Sequence, residues 1–420
     1  MKKRMKAMKM QQIRKPPKKR LSLLISLILI SCFMLPACKG DDDGVRLSAV
    51  EENAEENAKE SMDDGMEALP DMPKEDTLEE EAEDEPFTED TRKEDEEISG
   101  SVSANSVSEN GIRKKAAEKY ELNDDGLRVT EDGKIVVDLV FFMGQSNMSG
   151  AGGNADYAPK VKMDHGYEFR AISDPTRLYP IEEPFGINES FIGGICDLPG
   201  AKKGSMVSSF ANTYYKETGI PIVAVSISEG ATTTEKWLTP MYQSDMKERV
   251  ERALVWLNCS DYYINRKYAV WLQGESDAAN GVTGSDYTVN MDDIIRPLFI
   301  KGIDKVFIVT PGRTLSRKDY FNDIIDAQIE MCRKSGYYAL ATTVLCGVST
   351  EFMVDEWHYN QKVLNLVGEE SAKSAATYTN ETKEAYMYDY KHKEMYYPVY
   401  GYCEGDETVE ELEFDDLYLD

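Results

Sequence analysis

From about residue 134 the chain alternates between unbroken apolar runs and stretches whose apolar positions recur every three or four residues. The runs are 134–143 (KIVVDLVFFM), 220–227 (IPIVAVSI), 267–272 (KYAVWL), 304–310 (DKVFIVT) and 337–345 (YYALATTVL). Their length and β-branched content predict strands, and the lack of polar interruption predicts burial on both faces. Between them, 205–217, 246–258, 285–300 and 319–335 carry helical spacing, and a last helix is predicted over 359–376. Strand and helix in strict alternation predict an α/β fold with a parallel sheet covered on both sides. Five such strands suit a flavodoxin-like, doubly wound arrangement, in which ligands bind beyond the carboxyl ends of the strands.

The two ends of the chain break this pattern. Residues 1–20 hold ten Lys or Arg and no acid, and 21–35 (LSLLISLILISCFML) are apolar. This order is that of a secretory signal. The closing LPAC resembles a bacterial lipobox, which implies lipidation at Cys38 and a membrane partner through that N-terminal anchor. The other reading is an uncleaved anchor, although the run is shorter than the ~20 residues of a spanning helix. Either reading places the remainder outside the cytoplasm. Residues 41–110 contain 27 Asp or Glu against five Lys or Arg. Such a segment buries too little apolar surface to offset chain entropy, so a disordered acidic tether is expected over 39–110. A folded domain is expected over 111–376, followed by a tyrosine-rich, acidic extension over 377–420, read as a small hairpin or a loose tail. The whole chain has a formal net charge of −29, and the part beyond the tether is acidic too, which speaks against nucleic acid as a partner. Seven Cys lie in no CxxC spacing, so neither a zinc site nor a disulfide scaffold is expected.

The chemistry gathers after the strands. DLVFFM runs straight into GQSNMSGAGG, so Ser146 projects from a strand end among glycines, with Gly144 and Gln145 supporting the turn. Three His occur: His165, His358 and His392. His358 sits in VDEWHYNQ, where D-x-x-H on a tight loop can set Asp355 on one imidazole nitrogen and leave the other for a serine. Acyl transfer also needs oxyanion donors. SEGATTTEKW can offer the Gly230 N–H, and WLQGESD the Gln273 amide, with Gly274 and Glu275 shaping that loop. Glu275 and Asp277 either brace the loop or replace Asp355 beside the histidine; the closeness of Asp355 to His358 favours bracing. Trp237, Trp271 and Trp357 flank these motifs as packing residues or as a sugar-facing wall.

GQSNM, the Gly230-to-Trp237 stretch, WLQGESD and DEWH, in that order, resemble the sialate O-acetylesterase-like carbohydrate esterases of the SGNH hydrolase superfamily. The resemblance spans roughly 134 to 376. It implies a three-layer α/β/α fold and a Ser-His-Asp esterase that removes acetyl groups from sugars without metal or cofactor. It also implies an acetylated glycan as substrate. By motif position Ser146 is the nucleophile and one oxyanion N–H, Gly230 and Gln273 are further donors, His358 is the base and Asp355 its partner. The second motif departs from the family's frequent Gly-Gly, with Glu229-Gly230-Ala231 here. Competing expectations are a lipase- or thioesterase-type hydrolase on the same triad, and a surface glycan-binding lipoprotein without activity.

Overall fold

The computed structural model describes residues 115–398. The expected signal, Cys38, the acidic tether and the acidic end of the chain lie outside these residues. The central strands are β1 (Ile135–Gly144), β2 (Gly166–Phe169), β3 (Leu178–Pro180), β4 (Ile222–Ser228), β5 (Tyr262–Leu272), β6 (Lys305–Val309) and β7 (Tyr338–Thr342). Their order in the sheet is β3-β2-β4-β1-β5-β6-β7, parallel throughout except for β3, which runs antiparallel on β2. The five strands expected from the apolar runs take the doubly wound order 2-1-3-4-5 among themselves. Strands β2 and β3 were not expected. Both are short, β3 at the edge and β2 next to it, and the polar Glu168 within β2 and Arg170 just after it hide the apolar signal.

Unbroken apolar runs follow from two-sided burial. Along β1, Leu139, Phe141 and Met143 enter one core, while Val140 and Phe142 enter the other. Helices α1 (Val207–Thr218) and α5 (Gln361–Glu381) cover the second core, and α2 (Pro240–Asn258), α3 (Gly284–Ile300) and α4 (Asn322–Lys334) cover the first. Each large apolar side chain so buried contributes about 1.5–3 kcal/mol. The start of α2 lies upstream of the expected 246, at Pro240, whose fixed φ suits a first helical turn.

The expected domain end at 376 falls inside α5. Buried Ala375, Ala376 and Thr379 carry the packed face of that helix onward to Glu381. The tyrosine-rich segment then forms a hairpin, β8 (Met387–Asp389) with β9 (Glu394–Tyr396). Tyr396 is fully buried in the first core, and the buried Lys305–Glu384 pair at 2.8 Å ties the connecting segment to the start of β6. Trp237 and Trp271 are both fully buried and pack edge-on at 5.2 Å, so they are core residues. Cys196, Cys259, Cys332 and Cys346 are free thiols.

One buried acid makes stability pH-dependent. Asp138, inside β1, is fully buried and accepts hydrogen bonds from the Tyr214 hydroxyl at 2.7 Å and Asn265 Nδ2 at 2.8 Å. Burial pushes its carboxyl up to about 6, against the pull of those two bonds. A folded value above the unfolded one means that the carboxyl favours the fold in acid. That contribution is lost as pH rises through the folded value. Asp138→Asn is therefore expected to stabilise the protein by about 2–3 kcal/mol at about pH 8 and to lose this advantage near pH 4. Urea unfolding of both proteins at the two pH values measures it. An equal difference at both would show that Asp138 does not titrate in this range.

Candidate active site

The turn that carries Ser146 is built by close approach of two strand ends. β1 finishes at Gly144, with φ at 141°, and a Cβ there would lie 2.0 Å from the Leu272 carbonyl oxygen that ends β5. Only glycine permits that contact. The next residue, Gln145, is buried. Its N–H donates to Leu272 O at 3.0 Å, and its Oε1 accepts from the N–H groups of Ser276 at 3.2 Å and Gly274 at 3.5 Å. Ser146 then opens a single helical turn, Ser146–Ser149, half-buried at the carboxyl edge of the sheet.

His358 and Asp355 meet on the loop between β7 and α5. The Asp355 carboxylate faces His358 Nδ1 at 2.8 and 2.9 Å, and its Oδ1 also accepts the N–H groups of Trp357 and His358 at 2.8 and 2.9 Å. Partial burial raises Asp355, but these bonds outweigh it and hold the carboxyl below its ordinary value. The His358 side chain is 21% exposed and that of Asp355 52%. Trp357 packs on Tyr320 and Phe321 and anchors the loop laterally. The loop also lies against the glycines that follow the serine: a Cβ on Gly152 would come within 2.8 Å of His358 Cβ. No hydrogen bond links the Ser146 hydroxyl to the His358 ring among the described residues. Such bonds are often long before substrate binds.

Gly230 follows β4 and lies beside the serine, since a Cβ placed on it would be 3.4 Å from Ser146 Cβ. Its N–H is engaged, donating to Asp197 Oδ1 at 2.8 Å. Asp197 Oδ2 in turn accepts from Ser149 Oγ at 2.7 Å and pairs with Lys202 Nζ at 3.1 Å. Lys202 is buried with them and also reaches Ser228 Oγ at 2.9 Å. Burial lowers the Lys202 amine, and the Asp197 charge pulls it back up. Ala231, the residue after Gly230, has φ at 55°. A left-handed conformation costs a non-glycine residue about 1–2 kcal/mol.

Gln273 is fully buried and spends both amide hydrogens inside the protein, on Thr232 O at 2.8 Å and on the Asp277 carboxylate. Asp277 also accepts from the Thr234 N–H at 3.0 and 3.1 Å and braces the loop after β4. Glu275 is buried too, with Oε1 accepting from Asn147 Nδ2 at 2.7 Å. Burial raises the Glu275 carboxyl; the Asn147 bond and the His358 ring pull it back. Among the described residues neither acid touches His358 Nδ1, which faces the Asp355 carboxylate instead.

The remaining His residues are held elsewhere. His165 stacks on Tyr215, and His392 bonds Asp389 at 2.6 Å in the terminal hairpin. Among the described residues no three His, Cys, Asp or Glu side chains converge as a metal site. Asp197, Lys202 and Asn147 were not singled out from sequence. Asp197 and Lys202 lie in a stretch without periodicity, and Asn147 reads as an ordinary turn residue.

The family described as carbohydrate esterase, sialic acid-specific acetylesterase matches residues 136–377, more than half of the chain and every motif above. The chain belongs to this family. It is thus a carbohydrate esterase. No curated protein matches it. Solved structures similar to it include a protein from Arabidopsis thaliana, 18% identical over 57% of this chain and 97% of that one, with a TM-score of 0.40. A carbohydrate acetylesterase from Xanthomonas citri is 14% identical over 59% of this chain and 58% of that one, with a TM-score of 0.40. An acetylxylan esterase from Geobacillus stearothermophilus is 7% identical over 57% and 94%, with a TM-score of 0.33.

Proposed function

We propose that this carbohydrate esterase removes O-acetyl groups from a sugar through a covalent acetyl-enzyme on Ser146. The observation that carries the reading is the Asp355–His358 dyad, doubly bonded on Nδ1 and seated against the loop that holds the serine. With Nδ1–H committed to Asp355, Nε2 carries the lone pair and can take the Ser146 proton. The serine oxygen attacks the acetyl carbonyl, and the sugar hydroxyl departs with the proton from His358 Nε2. Water, deprotonated by the same nitrogen, then releases acetate.

The tetrahedral oxyanion rests on the Ser146 and Gly230 N–H groups. Asp197 has to yield its bond to Gly230 for that, because an oxyanion and a carboxylate repel each other over one donor. Gln273 joins them only by releasing a hydrogen from Thr232 or Asp277. A cleft of about 600 Å³ beside the histidine loop, lined by Gly152, Asn154, Tyr157, Lys203 and Val354, offers room for the sugar.

The test is acetate release from a panel of O-acetylated glycans, sialic acid conjugates and neutral polysaccharides together, with octanoyl and acetyl nitrophenyl esters alongside. Release from at least one glycan is expected, as is a preference for acetyl over octanoyl. Inertness toward all glycans with strong octanoyl hydrolysis would replace the carbohydrate by a lipid ester.

A further inference from the structure

Asn147 stands next to the nucleophile, is 1% exposed, and has no part in the reaction steps above. Its side chain reaches both sides of the base. Nδ2 donates to the Trp357 carbonyl at 3.1 Å, and Oδ1 accepts the Tyr359 N–H at 3.4 Å. Trp357 and Tyr359 are the residues before and after His358. The second Nδ2 hydrogen goes to Glu275 Oε1 at 2.7 Å. This orientation of the amide is chemically forced: reversed, it would set an oxygen against a carboxylate and a carbonyl. Glu275 Oε2 has no partner among the described residues, so the carboxylate is held in place chiefly through Asn147 and its own loop.

We infer that Asn147 is a positioning residue: it clamps the peptide units flanking His358 onto the serine turn, with Glu275 as its buried anchor. The loop from Met353 to Asn360 belongs to no strand and has one isolated bridge of its own, Met353 with Tyr359. Its distance from the serine is therefore set by contacts from other elements. One side chain, attached to the residue after the nucleophile, supplies two of these contacts on either side of the imidazole. The clamp joins three motifs far apart in the chain: GQSN, QGE and DEWH. This inference rests on the esterase reading, since a positioning role needs Ser146 and His358 to react together.

The experiment compares the full-length wild type with Ser146→Ala, Asn147→Asp and Asn147→Ser. Readouts are kcat and KM for nitrophenyl acetate across pH, the rate of fluorophosphonate labelling, and the thermal midpoint. Asn147→Asp keeps size and the acceptor for Tyr359 but loses both donors. A base displaced by about an ångström costs about 10²-fold, so kcat and labelling should fall by that order while KM moves little. The loss should shrink toward acid pH. The introduced carboxylate and Glu275 would then share a proton, which restores a donor between them. Asn147→Ser, too short to reach the Trp357 carbonyl, should lose kcat equally without that recovery. It keeps the question open to test should the Asp variant not fold. A wild-type kcat in either folded variant, or an Asn147→Asp loss independent of pH, overturns the clamp alone. A wild type without Ser146-dependent labelling overturns the esterase reading, and the clamp with it.

Discussion

Ser146→Ala is expected to lower acetate release by about 10⁴-fold or more and to abolish labelling by a fluorophosphonate. The magnitude follows from the chemistry. Alanine leaves the dyad, the donors and the cleft in place but removes the oxygen that forms the acetyl-enzyme in the mechanism proposed above. What survives is water attack assisted by binding and by oxyanion stabilisation, which leaves a residual rate over the uncatalysed one. Stability should change little, because Ser146 is half-buried and its hydroxyl makes no hydrogen bond among the described residues. Labelling of the alanine variant at the wild-type rate would place the nucleophile elsewhere. A pure binding protein would show neither labelling nor turnover in the wild type.

The second large effect is expected at Asp355. Asparagine there can still accept the Trp357 and His358 N–H groups, so the loop keeps its shape. It also brings an amide donor toward Nδ1. That favours the tautomer with the proton on Nε2, where no base faces the serine, and removes the charge that stabilises the imidazolium. A fully buried triad aspartate is worth about 10⁴-fold in kcat; the half-exposed Asp355 should be worth about 10²–10³-fold. Because its carboxyl sits below the ordinary range, it stays ionised throughout the range where a histidine base works. The wild-type acid limb of kcat/KM near neutral pH is therefore not set by Asp355. The control is Asp277→Asn, at a carboxylate that touches Gln273 and Thr234 and not the imidazole. If Asp277→Asn lost more kcat than Asp355→Asn at matched stability, the roles of the two acids would have to be exchanged.

Much of the fold was legible because its physics is local. Strands buried on both faces must be apolar throughout, and β1, β4, β5, β6 and β7 stood out for that reason. Strands β2 and β3 did not, since strands this short, with charged residues in or next to them, carry no such run. The meeting of Asp355 with His358 was readable from a three-residue spacing on a short loop. The engagement of Gly230 by Asp197 was not, because 33 residues separate them, and the helix and strand between do not reveal which loop atoms meet.

The amino-acid sequence by itself determined which side chains are present at the strand ends and that a parallel α/β sheet would bring those ends to one edge. That follows from apolar runs and from the direction of each crossover, which are properties of single elements. Only the tertiary structure decided which donors are engaged, that both Gln273 hydrogens turn to Thr232 and Asp277, and that Asn147 spans His358 on both sides. A buried hydrogen-bonding group must find a partner, and which partner lies within about 3 Å depends on how separate elements pack.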